Sequence, residues 1–161
     1  MGHTAEVLLA GIAIALVAGW LWRRGRAAQL RARQQLACLQ FVEMRSALAE
    51  VFLEASRSTG IPRGLSWKSC ELAEDEVFAT DRVTGELYAL VGATISFTAI
   101  PGGGMEDVEA VGNLRYATAI FVHRQGAWQS DGKVVFNLEP QQVVEHYQQS
   151  LLPVAGKQSG P

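Results

Sequence analysis

The chain has 161 residues, of which 48% are hydrophobic and 19% charged. That balance excludes an intrinsically disordered chain and leaves room for one domain of ordinary size plus a further segment. The net charge of -2 conceals an uneven split: residues 1–34 hold five arginines against Glu6, while the remainder holds 9 basic and 15 acidic residues. This is the pattern of a basic arm joined to an acidic body.

Residues 1–6 read as a short extracytoplasmic N-terminus. Residues 7–22, VLLAGIAIALVAGWLW, carry no charge and span roughly 24 Å as a helix, close to a hydrocarbon core of about 30 Å. Trp20 and Trp22 suit the membrane interface, and Arg23, Arg24 and Arg26 can extend into the headgroups. The residues before the run lack the basic stretch of a signal peptide, so the sequence predicts a retained transmembrane anchor. The arginines all follow it. By the positive-inside rule the protein is a single-pass protein of the cytoplasmic membrane with its body in the cytoplasm. Membrane lipids are then partners of the anchor and of the arginine-rich stalk. Gly11, Ala15 and Gly19, four apart, form a small-residue face for helix packing and a weak sign of a homo-oligomer.

Residues 23–59 read as a basic stalk passing into an amphipathic helix. From residue 27 to 56 there is no Gly or Pro, and Leu30, Gln34, Ala37, Phe41, Met44, Leu48 and Val51 recur in steps of four and three, widened by Val42 and Phe52. The later turns read as the core face of a domain, and a parallel coiled coil competes for the same seam. The stretch RSTGIPRG, residues 57–64, ends the helix: Gly60 suits a C-cap and Pro62 forbids continuation.

Residues 60–152 read as a cytoplasmic α+β domain. The period changes to two, with strands in LSWKSCEL and EDEVFATD, a turn at VTGE with Gly85 at positive φ, and the clearest strand in LYALVGATISFTAI. Two more follow in LRYATAIFVH and WQSDGKVVFNL, with Asp131-Gly132 in the latter as a bulge or a second turn. EPQQVVEHYQQSLL reads as a closing helix with Pro140 in its first turn and Val143, Tyr147 and Leu151 on one stripe. Residues 153–161 read as a flexible tail. The sequence thus predicts an N-terminal transmembrane helix, a long amphipathic helix, an antiparallel meander of about 4–5 strands and a C-terminal helix. With the stretch IFVHRQGAWQ as its last hairpin, the body resembles the cystatin-like and nuclear-transport-factor-like cones. The resemblance implies a curved sheet wrapped around a helix and carries over no site.

AIPGGGMEDVEAVGN, residues 99–113, is the most unusual stretch. A phosphate loop would need GxxxxGK[ST], and here Glu106, Asp107 and Glu109 follow the glycines, which repels phosphate. The calcium-loop spacing is missing as well. Pro101 ends a strand, Gly102, Gly103 and Gly104 provide a hinge, and Met105, Val108 and Val111 suit a short helix. The segment reads as a flap, residues 101–112, over one end of the sheet. Asp107, Glu109, Tyr116 and His123 are the candidate ligand-binding residues beneath it.

No metal or cofactor is implied. Cys38 and Cys70 lack ligand spacing, Cys70 stands beside Glu71 in no activating environment, and no GxSxG occurs. A disulfide between the two cysteines would need an oxidising compartment, against the cytoplasmic placement. The acidic body disfavours nucleic acid. The sequence therefore favours a non-enzymatic interaction or scaffolding module with a protein partner. The alternative is a small-ligand-binding or weakly catalytic cone beneath the flap.

Overall fold

The computed structural model describes residues 2–59 and 64–154, and within the first range the side chains of Gly11 and of residues 15–58. Two compact units divide the chain, Met1–Leu36 and Ala37–Pro161.

The first unit is the opening part of a single helix, α1 (Gly2–Thr59). Its described side chains are largely exposed, and those of Leu16, Val17, Trp20, Leu21 and Trp22 are among them. Among the described residues no helix is long and apolar enough to cross a membrane. The uncharged run 7–22 lies partly outside the described side chains. A Cβ added to Gly11 or Gly19 would meet nothing, so the small-residue face is open.

The second unit is α+β. It contains the later part of α1, then β1 (Leu65–Asp81), β2 (Leu87–Ala99), a 3-10 turn (Glu109–Gly112), β3 (Arg115–Arg124), β4 (Ala127–Gln129), β5 (Val134–Phe136), α2 (Pro140–His146) and β6 (Leu151–Pro153). The strands form one antiparallel sheet in the order β4-β3-β2-β1-β6, with β5 also paired to β3. The change of period places the start of the body at residue 60. The compact unit begins at Ala37 instead, because Ala37, Phe41, Leu48, Phe52 and Leu53 of α1 belong to the main core. The expected heptad seam is consumed by this packing. Its other members Leu30, Met44 and Val51, with the flanking Val42, are exposed, so no coiled coil can use Phe41 or Leu48. Gly60 and Pro62, expected to end α1, lie outside the described residues.

Three expectations about the strands need correction. The two expected strands before the VTGE turn are one 17-residue strand. Its register slips between Leu72 and Glu76, where Ala73, Glu74 and Asp75 stand opposite Gly92 alone. The two extra residues leave Leu72 and Phe78 on the same core face, but they interrupt the pairing with a run of acids and imitate a strand boundary in sequence. The WQSDGKVVFNL segment is two short strands with Asp131-Gly132 between them, and β6 brings the sheet to six strands among the described residues. The closing helix is shorter than expected and stops at His146. Leu151 then pairs with Asp81 as strand rather than continuing the stripe of Val143. The start of α2 agrees with its residues: Pro140 opens it, and Glu139 and Gln142 exchange side-chain to backbone bonds as a capping box. The tail beyond Val154 lies outside the described residues.

The two faces of the sheet are covered differently. Against α1 lie Trp67, Ala89, Val91, Ala93, Ile95, Phe97, Ala119 and Phe121. Small alanines in the central strands make room for the aromatic rings of the helix. Phe41 meets Phe121 and Trp128 edge-on at 5.3 and 4.9 Å between centroids. Trp128 Nε1 donates to the Ala37 carbonyl at 2.8 Å, which fixes the start of the packed segment. Near its end, Gly132 is pressed against the helix backbone, and a Cβ there would lie 2.6 Å from the Ser56 nitrogen. On the outer face α2 seats Val143 and Val144 on Ala79 and Leu90. The rest of that face, towards residues 94–98, carries hydroxyl and carboxyl groups.

Candidate functional site

The glycine-rich segment crosses the end of the core where β2 hands over to β3. It is attached at several points. The Ile100 amide donates to the Gly64 carbonyl at 2.9 Å and the Gly103 amide to the Ile100 carbonyl at 2.9 Å. Gly103 lies so close to Gly64 that a Cβ would come within 2.7 Å of the Gly64 Cα. Further on, Val111 is buried in the main core and Met105 packs against it. Gly102 and Gly104 adopt φ values of +78° and +73°, a backbone region that L side chains rarely enter. Of the three expected hinge residues, Gly103 is therefore held by close approach, while Gly102 and Gly104 set the path of the chain. The expected helix after Gly104 is only the 3-10 turn Glu109–Gly112. It begins after Val108, which is exposed, and it buries Val111.

The four candidate ligand-binding residues do not converge. Asp107 and Glu109 are exposed on the loop. Tyr116 and His123 stand on the same uninterrupted strand, seven residues apart. They therefore face opposite sides of the sheet, and a strand rise of roughly 3.3 Å places them about 23 Å apart. His123 packs its ring on Trp128 at 5.2 Å on the α1 side. Tyr116 lies on the outer face, where its hydroxyl donates to Asp75 Oδ2 at 3.3 Å. Burial, then the Asp75 carboxylate, push the Tyr116 phenol up to about 12.

Asp75 was not among the expected site residues. It comes from the bulge of β1, which lays its carboxylate over the bare backbone of Gly92, where a Cβ would meet Oδ1 at 2.5 Å. Beside this pair Ser69 and Ser96 share a hydrogen bond of 2.6 Å, and buried Thr118 donates to the Leu138 carbonyl at 2.7 Å. The only hint in sequence was the acid run around Asp75 at the point where the alternation breaks. A second unforeseen pair joins α1 to the same bulge from the other side: Arg45 Nη2 bonds Glu76 Oε2 with both side chains mostly buried, and Arg45 Nε has no hydrogen-bond partner.

This arrangement offers hydrogen bonds and negative charge on an open surface rather than a poised nucleophile. Burial pushes the Cys38 thiol up to about 11 and the Cys70 thiol up to about 12, so both stay protonated at neutral pH. Both are free thiols. Cys38 feels Glu76 of β1 and Cys70 feels Glu50 of α1. Positions 38 and 50 of a helix are about 18 Å apart, so the two cysteines meet different levels of the helix. Among the described residues no group of three or more His, Cys, Asp and Glu is placed to hold a metal ion. Comparison with protein families, with curated proteins and with solved structures returns no match to this chain.

Proposed function

We propose that this chain is a single-pass membrane-tethered interaction module, with residues 7–22 as the anchor and a non-enzymatic α+β body in the cytoplasm that takes a protein partner. The observation that carries this reading is the packing of the sheet. The face beneath α1 is occupied by the Phe41, Phe52, Trp67, Phe97, Phe121 and Trp128 rings, so the groups free to make contacts lie on the outside. A ligand-binding cone would keep its polar groups convergent in a hollow, and Tyr116 and His123 point to opposite faces. One long helix laid on an antiparallel sheet supports the likeness to the cystatin-like cones, which rests on that arrangement alone.

The anchor is supported by the uncharged run and by the arginines behind it. The guanidinium of Arg24 lies over the Trp20 ring at 5.0 Å and that of Arg26 over Trp22 at 4.9 Å. Such pairs keep an aromatic ring and a cation together at headgroup depth.

Native mass spectrometry of the full chain released from detergent micelles tests the non-enzymatic half of this proposal. The expected result is an unmodified mass, as monomer or oligomer. A reproducible small-molecule adduct on the body would move the assignment to ligand binding. A reporter fused after Pro161 that works only outside the cytoplasm tests the topology. It is expected to be silent, and activity there overturns the cytoplasmic placement.

A further inference from the structure

The two edges of β1 are used unequally. One edge pairs with β2, from Leu65 opposite Ala99 to Thr80 opposite Leu87. The other meets β6 only at Ala79, Thr80 and Asp81, and just beyond them the Val154 amide donates to the Phe78 carbonyl at 2.9 Å. Among the described residues no strand covers the rest of that edge. At Trp67 the Arg57 Nε donates to the carbonyl at 3.5 Å, so the uncovered stretch is residues 69–77, about 26 Å of strand. Backbone direction alternates along an antiparallel ladder. Phe78 faces the β6 side, so Glu76 does too. The bulge adds two residues and keeps that parity, so Leu72 and Cys70 turn their N–H and C=O groups to the same side. Their half-buried side chains pack against the main core. Exposed Glu71, Glu74 and Asp75 line the same stretch, with exposed Lys68 just before it, and Glu50 of α1 adds its charge near Cys70.

We infer that this edge takes an extended segment of a partner protein as an added strand, with basic and apolar side chains in alternation. The inference rests on the reading of the body as a module for a protein partner, and it names the chemistry of that partner. Outward-facing N–H and C=O groups supply the affinity of an added strand, and its side chains supply the selectivity. Alternate residues of the segment face opposite sides. On the outer side they meet Glu71 and Asp75, which calls for lysine or arginine. On the α1 side they lie against Cys70 and Leu72, which calls for apolar residues. A second copy suits this edge poorly: two such edges set acids against acids, and the bulge bends each away from a flat neighbour.

The test uses the full chain in detergent micelles. The probe is an octapeptide of alternating lysine and valine, and the readout is amide hydrogen exchange at Cys70, Leu72 and Glu76. With the peptide at ten times its dissociation constant, exchange at these amides is expected to slow by about tenfold. The same peptide with glutamate for lysine is expected to have no effect. N-methylation of either the lysines or the valines is expected to abolish the effect in one of the two cases, because only alternate amides of the peptide face β1. Glu71→Lys combined with Glu74→Lys alters two exposed positions and is expected to exchange the preference, so that the glutamate peptide protects. No slowing with the lysine peptide overturns the inference. Slowing that survives both methylations does so too, since charge alone then holds the peptide. Edge amides that are already as protected without peptide as those of Val77 and Ala79 also overturn it, and give the edge to a second copy or to residues 155–161. All three results leave the interaction module standing. A small-molecule adduct in the native mass spectrum would overturn that reading instead.

Discussion

The two faces of the sheet solve opposite problems with the same three strands. Towards α1 the strands present alanines and aromatic rings, and the face works by exclusion of water and close fit. Outwards, beyond the short cover of α2, they present Ser69, Thr94, Tyr116 and the buried Ser96, and the face works by pairing polar groups. The first face tolerates no loss of volume. The second tolerates loss of volume and is sensitive to charge. The comparison also separates what holds the fold from what it offers to other molecules: the tightly packed face has nothing left to offer.

The largest expected effect belongs to the packed face. Phe41 is fully buried and touches the Phe78, Phe121 and Trp128 rings, with centroids 5.8, 5.3 and 4.9 Å away. Phe41→Ala is expected to cost about 3–5 kcal/mol, measured by urea unfolding of the full chain in one detergent. A cost below about 1 kcal/mol would mean that α1 does not sit on the sheet as described. Next comes the ion pair at the edge of that face. Glu76→Gln leaves the mostly buried Arg45 charged, with Nε already lacking a partner, at an expected cost of about 2–3 kcal/mol. The double variant Arg45→Met with Glu76→Gln recovers most of the loss, because it removes the stranded charge as well. If the double variant is as unstable as the single one, the pair acts by shape and not by charge.

The two faces were unequally legible in the sequence. The period-two run from Leu87 to Ala99 and the Phe41, Leu48, Phe52 stripe identified the packed face directly, because burial imposes a period and a period can be read from one chain. The turn at Gly85 and the opening of α2 at Pro140 were legible for a similar reason: each depends on a residue with restricted or unusual backbone freedom. The bulge at residues 73–75 was not, since two extra residues in an acidic run leave the same trace as a break between two strands. The Asp75 and Tyr116 pair, 41 positions apart, depends on register, which no local pattern fixes. The grouping of Tyr116 with His123 failed on parity, and the odd separation of the two along one strand already argued against it. Glu106 was read by its charge alone. In the fold its carboxylate accepts from the Gly102 amide, a bond set by a loop conformation that the sequence permits without requiring.

The outer face can be tested through a single titration. Burial and the Asp75 carboxylate together push the Tyr116 phenol from its ordinary 10.0 up to about 12. A raised pKa means that the folded chain keeps a proton that the unfolded chain gives up. This contribution to stability is complete below pH 10 and is lost as the pH climbs towards 12. Asp75→Asn removes the charge but leaves the burial, so the Tyr116 ring resonances should titrate between the two values and the alkaline loss of stability should finish earlier. Gly92→Ala should act in the same direction by another route, since its Cβ would lie 2.5 Å from one Asp75 oxygen and 2.8 Å from the Tyr116 hydroxyl. Both groups sit at the ends of flexible side chains and can swing away, so the expected cost in stability is only about 1 kcal/mol. A Tyr116 titration unmoved by either substitution would show that the bulge does not bring Asp75 over Gly92. The outer face would then have no carboxylate at its centre, and its acids would be ordinary solvated charges on the edge of β1.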